Sequence, residues 1–257
     1  MIKVLDCEDQ ESTANSLSGL FGCSTADLFD QLINFDLERI YEEDDPHCPA
    51  DEFLFKKLTS ILGPPDKPEG ICWFHLTRTF PENNFSEGIL PLGMAIDTIW
   101  KTILRIFEET QHFLSLQSMR QNGVKNYHYQ LKVPDPLHWG PFAMLVKESA
   151  FHAHEIGNHD YLELPEIIED ICNAYLNKSG LSIHAEVGKI LVPCVVKFRR
   201  EAENGLRGIG PAIYYYYKSI RKESFSRNAN TCFDAGGKII PRENILKIEY
   251  QDEHLTS

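Results

Sequence analysis

The chain has no run of eighteen apolar residues, so no membrane-spanning helix is expected. Its seven cysteines, Cys7, Cys23, Cys48, Cys72, Cys172, Cys194 and Cys232, contain no Cys-x-x-Cys pair, which excludes a zinc ribbon. Their odd number and wide spacing point to free thiols in a reducing compartment. No Gly-x-Ser-x-Gly elbow is present, so α/β-hydrolase chemistry is not expected. A glycine-rich phosphate loop is also missing: Gly208-Ile209-Gly210-Pro211 is too short, and its proline removes a backbone donor. There is no internal repeat and no low-complexity tract. The opening stretch MIKVLDCEDQES turns acidic where a secretory signal needs an apolar centre, so a cytoplasmic protein without a membrane partner is expected.

What is present is ordinary globular composition over 257 residues, with 42% hydrophobic and 25% charged residues, too apolar for disorder. The formal net charge of −13 repels phosphate backbones on average and argues against a dedicated nucleic-acid binder. Two segments run against that charge, Lys197 to Arg207 and Lys218 to Arg227. Each reads either as a solvated helix face or as part of a local basic groove.

Periodicity organises the chain as follows. Residues 1–23 lack a pattern and read as a loose arm. Ser24, with Asp27 three residues on, is a helix N-cap, and apolar positions from Phe29 to Ile40 follow at helical spacing. The acidic stretch Glu42–Asp45 and Pro46 end that helix. A second helix spans Asp51–Leu62 and stops at Gly63-Pro64-Pro65. Ile71–Arg78 is a buried strand, Ala95–Ser118 a long helix, and Tyr127–Val133 a strand. Phe142–Phe151 reads as strand then helix, and Pro165–Leu176 as a helix entered at proline. Lys189–Phe198 is the strongest strand, with Pro193 marking an edge or bulge. Ala212–Glu223 is helical, and Ile245–Tyr250 is a closing strand. Helices and strands intermingle without strict βαβ alternation, which predicts an α+β fold. Residues 1–70 form a helical extension and 71–257 the main domain.

Two constellations carry chemistry. The first is the stretch His152 to Asp160 (HAHEIGNHD), where His152, His154, His159 and Asp160 are candidate metal ligands. On a strand, His152 and His154 share a face. Gly157-Asn158-His159-Asp160 resembles one block of the metallophosphoesterases, and Asp45-Pro46-His47 mimics another. The family's Gly-Asp block has no counterpart here. This reading implies a metal-dependent phosphoesterase or nuclease; otherwise the segment is a polar loop. The second constellation is the buried strand with His75-x-Thr77-Arg78, followed by a loop with Gly88-Ile89-Leu90 and Gly93. A histidine in a buried strand needs a hydrogen-bond partner, so a satisfied core histidine is the alternative.

The segment Trp73 to Gly93 resembles the first block of ADP-ribosyltransferases, nearest in form to the poly(ADP-ribose) polymerase and DNA-targeting toxin types. Gly140 to Ala150 is similar to the family's second block, and Gly237 to Ile245 to the loop and strand that close such folds. The gap between the first two blocks is wider than in the polymerases. The resemblance implies a split-sheet transferase domain that uses NAD as substrate and modifies a macromolecular acceptor, protein or nucleic acid. His75 would hold the nicotinamide ribose, supported by Thr77 and Arg78. Phe142 would stack on nicotinamide, and Ser149 would lie on the second block's helix. One of Glu223, Glu186 and Asp234, with Glu223 ranked first, would stabilise the oxocarbenium-like transition state. The aromatic residues Trp73 and Phe74 and the run Tyr214–Tyr217 would wall the pocket, or else pack as core. Small transferases of this kind act as toxins or defence effectors, which implies a neutralising partner protein. A non-catalytic interaction protein, docking through its N-terminal helices, is the third reading.

Overall fold

The computed structural model describes residues 3–37, 48–202 and 206–251. It is α+β, as the mixed pattern predicts. The strands are β1 (Val4–Leu5), β2 (Gly70–Thr79), β3 (Phe142–Met144), β4 (Val192–Glu201), β5 (Cys232–Asp234) and β6 (Ile245–Tyr250). They form one open sheet in the order β5-β3-β2-β4-β6, with β1 added alongside β2. β1 pairs parallel to β2, Val4 opposite Gly70, whereas β3 runs antiparallel, Met144 opposite Phe74. No helix among the described residues is long and apolar enough to cross a membrane.

The chain packs as two compact units. The first comprises Met1–Phe74, Ala143–Asn158 and Lys197–Phe233; the second comprises His75–Phe142, His159–Val196 and Asp234–Ser257. β2, β3, β4 and β5 each supply residues to both.

The first unit is built on the helix Ile209–Ile220, which packs against the helices Gln10–Phe21, Thr25–Ile33 and Ala50–Leu62. The expected loose arm at residues 1–23 is therefore a correction: β1 and the helix Gln10–Phe21 occupy it, with Leu5 and Leu17 fully buried. Thr13, Ala14 and Ser18 share the buried face, and these small residues blur the apolar period. The boundary signals were there. Asp9 accepts from the Ser12 amide at 2.7 Å, and Gly22, at φ 66°, closes the helix in the left-handed conformation. Ser24 and Asp27 form the expected reciprocal cap. That helix ends at Ile33 with Asn34 as its C-cap, short of the expected continuation toward Ile40; residues 38–47, with the acidic stretch and Pro46, lie outside the described residues.

Lys197 anchors the N-terminus of this unit. Its Nζ donates to Asp6 at 2.5 Å and Glu8 at 2.7 Å, and it lies 5.8 Å from the centre of the Phe74 ring. Burial works to lower the lysine pKa, but the two carboxylates win and raise it, so the ammonium stays charged.

The second unit has its own core of Trp100, Ile103, Phe107, Leu116, Ile171 and Tyr175, among others. The single long helix expected over 95–118 is two helices, Leu92–Ile106 and Phe113–Asn122. The break falls at Glu108-Glu109-Thr110. Two glutamates at a helix C-terminus oppose its dipole, and the Thr110 hydroxyl donates to the Phe107 carbonyl at 2.9 Å. The strand expected at Tyr127–Val133 is a helix, Tyr127–Lys132. Its alternating residues suggest a period of two, yet Asn126 caps it by accepting from the Tyr129 amide at 3.0 Å. Tertiary bonds at helical spacing then decide. The Tyr129 hydroxyl accepts from Trp100 Nε1 at 2.9 Å, and Lys132 meets Glu166 and Asp170 of the helix Glu166–Ser179.

Candidate functional site

The second unit holds residues 75–93, 140–142 and 237–245 of the segments that the transferase resemblance singles out, whereas Trp73, Phe74 and residues 143–150 belong to the first. His75 Nδ1 lies 2.8 Å from the Phe142 carbonyl oxygen, which ties β2 to β3. Gly237 donates its amide to the Gly140 carbonyl at 2.8 Å, and Ala235 donates to that of Pro141 at 3.1 Å. Ile89 and Ile240 form an antiparallel bridge with reciprocal bonds of 2.9 and 3.0 Å. The Tyr250 hydroxyl donates to the Asn83 carbonyl. Three stretches far apart in sequence, around residues 75–93, 140–142 and 237–250, are thus hydrogen-bonded to one another.

A carbonyl oxygen only accepts, so His75 Nδ1 carries the proton in the neutral ring and Nε2 keeps its lone pair. Burial pushes the imidazole pKa down, against the opposing pull of the Phe142 bond, and favours that neutral form. Nε2 meets no partner among the described residues. Phe142 itself is 44% exposed.

The loop glycines answer to packing. Gly88 has φ +81°, and a Cβ there would sit 2.2 Å from the Ile240 carbonyl. A Cβ on Gly93 would enter the Trp139 indole at 2.4 Å. The loop between β2 and Gly88 is ordered by its own asparagines, with Asn83 accepting from the Phe85 amide and Asn84 from the Ser86 amide, each at 3.0 Å.

Other candidates are engaged elsewhere. Arg78 donates to the carbonyls of Leu191 and Leu162 at 2.8 Å, of Glu163 at 3.2 Å, and of Gly188. Thr77 makes only a long contact of 3.5 Å to the Arg78 carbonyl. Ser149, in the first unit, is buried and donates to the Val146 carbonyl at 2.6 Å. Glu223, also in the first unit, holds Arg221 at 2.6 Å and Lys218 at 3.0 Å. Burial works to raise its pKa, but these two cations win and lower it. Asp234 accepts from the Gly236 amide at 2.8 Å. Its neighbour Phe233 lies 5.3 Å from Trp73, the residue two before His75 on the same face of β2. Strand alternation therefore turns Asp234 toward the face opposite His75. Glu186 sits in the first turn of the helix His184–Ile190 and is exposed.

The tyrosine run is core. Tyr214 to Tyr217 are all buried in the helix Ile209–Ile220, with the Tyr215 hydroxyl donating to Glu148 at 2.8 Å and that of Tyr217 to the Phe35 carbonyl at 3.1 Å. Trp73 and Phe74 are buried as well.

His152 stacks on Phe225 at 5.3 Å and bonds Glu155 at 3.0 Å. It caps the short helix Ala153–Ile156, which replaces the strand on which His152 and His154 would share a face. His154 is exposed. His159 Nε2 lies 2.6 Å from the Leu164 carbonyl oxygen, and Asp160 accepts from the amides of Leu162 and Glu163 at 2.9 Å. Asp45, Pro46 and His47 lie outside the described residues.

No protein-family model, curated protein or solved structure matches this chain. Function is therefore read from the side chains themselves.

Sequence reasoning missed a cleft of about 370 Å³ in the first unit. Its walls include Asp51, Asn158, Arg207, Arg227, Asn228 and Cys232. The signal was present as two locally basic segments in an acidic chain, but only folding shows that one arginine from each faces the same space.

Proposed function

We propose that the chain is an ADP-ribosyltransferase-like protein that binds NAD at His75 and transfers ADP-ribose to a macromolecular acceptor, protein or nucleic acid. The observation that supports this reading is the convergence of three sequence-remote stretches around a neutral histidine with an unpartnered nitrogen. Nε2 of His75 accepts from a ribose hydroxyl, and the exposed Phe142 ring offers a stacking face for nicotinamide. Cleaving the bond from nicotinamide to ribose builds positive charge on the sugar, which a carboxylate stabilises. Glu223 is held by two cations and Asp234 projects from the other face, so transfer requires an acid to reach the site.

The test is nicotinamide release from NAD, with and without cell lysate as acceptor, beside calorimetric NAD binding, for the wild type and His75→Ala. The reading expects wild-type binding and release that fall at least tenfold in the variant while its circular dichroism spectrum is retained. Binding without release defines a non-catalytic NAD-binding protein. Folded wild-type protein that neither binds nor turns over NAD ends the proposal.

A further inference from the structure

The cleft in the first unit is formed where the helix Ile209–Ile220 begins beside the start of the helix Ala50–Leu62. A Cβ on Gly210 would lie 3.3 Å from the Asp51 carbonyl oxygen, so the two helix starts are in close contact. Asn158 follows the left-handed Gly157 turn, and Arg227 and Asn228 come from the turn before β5. At about 370 Å³ the cleft is within the ~300–1,000 Å³ typical of small-molecule sites.

Its charges are unspent. Among the described residues, the side chains of Arg207, Arg227, Asn158 and Asn228 make no hydrogen bond or ion pair. Both guanidinium charges act on the Cys232 thiol, where they pull its pKa down against a larger upward push from burial. Two arginines therefore face one space, neither in an ion pair among the described residues, in a chain whose net charge is −13. A guanidinium fork matches a phosphate oxyanion in shape and charge, and two such forks suit a dianion better than a single carboxylate.

Asp51 gives the cleft a second pole. Burial raises its carboxyl pKa, while the amides of Asp51 and Glu52 oppose that shift. A carboxylate in the same cleft disfavours a bare anion and favours a ligand with a hydroxyl or amine donor at some distance from its phosphate. The side-chain amides of Asn158 and Asn228 add donors and acceptors for a neutral polar body. Asn230 is different: its Oδ1 accepts from the Leu145 and Val146 amides, both at 3.0 Å, so it builds the wall.

We propose that this cleft binds a phosphate monoester whose body carries hydrogen-bonding groups, the chemistry of a nucleoside monophosphate. Arg207 and Arg227 hold the phosphate, and Asp51, Asn158 and Asn228 hold the polar body. The site is independent of the His75 reading, because none of these residues belongs to the unit that holds His75.

Cys232 is exposed at the wall and serves as the reporter. The experiment measures its alkylation by iodoacetamide, resolved from the other cysteines by peptide mass spectrometry, with adenosine monophosphate or inorganic phosphate added to the full chain. Calorimetric titration is run in parallel. The expected result is protection by the nucleotide at concentrations at least tenfold below those needed for phosphate. Binding is expected to weaken at least tenfold in Arg207→Ala and in Arg227→Ala, each with an unchanged melting temperature. Asp51→Asn provides a second arm and should narrow the gap between the two ligands by strengthening phosphate binding. Equal affinity for nucleotide and phosphate overturns the assignment of the polar body. No protection and no heat at millimolar ligand overturns the site.

Discussion

Arg78 in the second unit spends its guanidinium on four backbone carbonyls, whereas Arg207 and Arg227 in the first meet no protein acceptor among the described residues. The same side chain is a staple in one place and an open charge in the other. Arg78 lies near the end of β2 and faces the Gly188 and Leu191 carbonyls at the end of the helix His184–Ile190, where the helix dipole is negative. Arg207, in a turn, and Arg227, at the start of the 3-10 helix Arg227–Ala229, are both exposed. Residue type alone therefore does not mark a binding arginine; an unmet donor fork turned toward a cavity does.

The largest expected effect comes from breaking the staple. Arg78→Ala leaves the carbonyls of Leu191, Leu162 and Gly188 without their donor. Each such group costs about 1–3 kcal/mol when it is buried and unmet, and partial access of water lowers the sum. The expected loss is roughly 3 kcal/mol, read from the midpoint of urea unfolding. A variant as stable as the wild type would show that the fork merely rests on these carbonyls.

The middle effect concerns His75. Burial lowers its pKa in the folded chain below the ordinary 6.5. The unfolded chain then binds the proton more readily, so the stability associated with the neutral ring is present above pH 6.5 and is lost as pH falls through the folded pKa. His75→Asn keeps a donor for the Phe142 carbonyl but does not titrate. Its unfolding free energy should therefore fall less than that of the wild type as pH drops below 6.5. Parallel pH profiles for the two proteins would place the imidazole in water, and with it would go the case for a neutral histidine at the site.

Much of the secondary structure was legible in the sequence, for identifiable reasons. The closing strand Ile245–Tyr250 and the cap at Ser24 are written in local chemistry, and both appear at the expected residues. The helix Tyr127–Lys132 was not, because its bonds to Trp100 and to Glu166 and Asp170 come from segments far along the chain. His75 could be singled out from its place in an apolar strand. Its tautomer could not, since that depends on Phe142, sixty-seven residues away. That Gly88 and Gly93 are contact points was not legible, because a sequence does not show which backbone or side chain approaches a glycine. The cleft was invisible for the opposite reason. Arg207 and Arg227 are far from Asp51 in sequence, and nothing local distinguishes them from solvated surface charge.

The smallest effect sharpens the contrast with Arg78. Arg207 and Arg227 are exposed and make no bond to the described protein, so replacing either by alanine removes nothing the fold uses. Stability should stay within about 0.5 kcal/mol of the wild type, as for most surface substitutions away from specific contacts. Replacing both should even raise stability slightly at low salt if the two guanidinium groups repel each other across the cleft, and added salt should erase that gain by screening. The measurement is thermal unfolding of the wild type, the two single variants and the double variant at low and at high ionic strength. Two destabilised single variants and a double variant less destabilised than their sum would mean that the arginines support each other through the structure, and the cleft would then be a packed corner like that of Arg78.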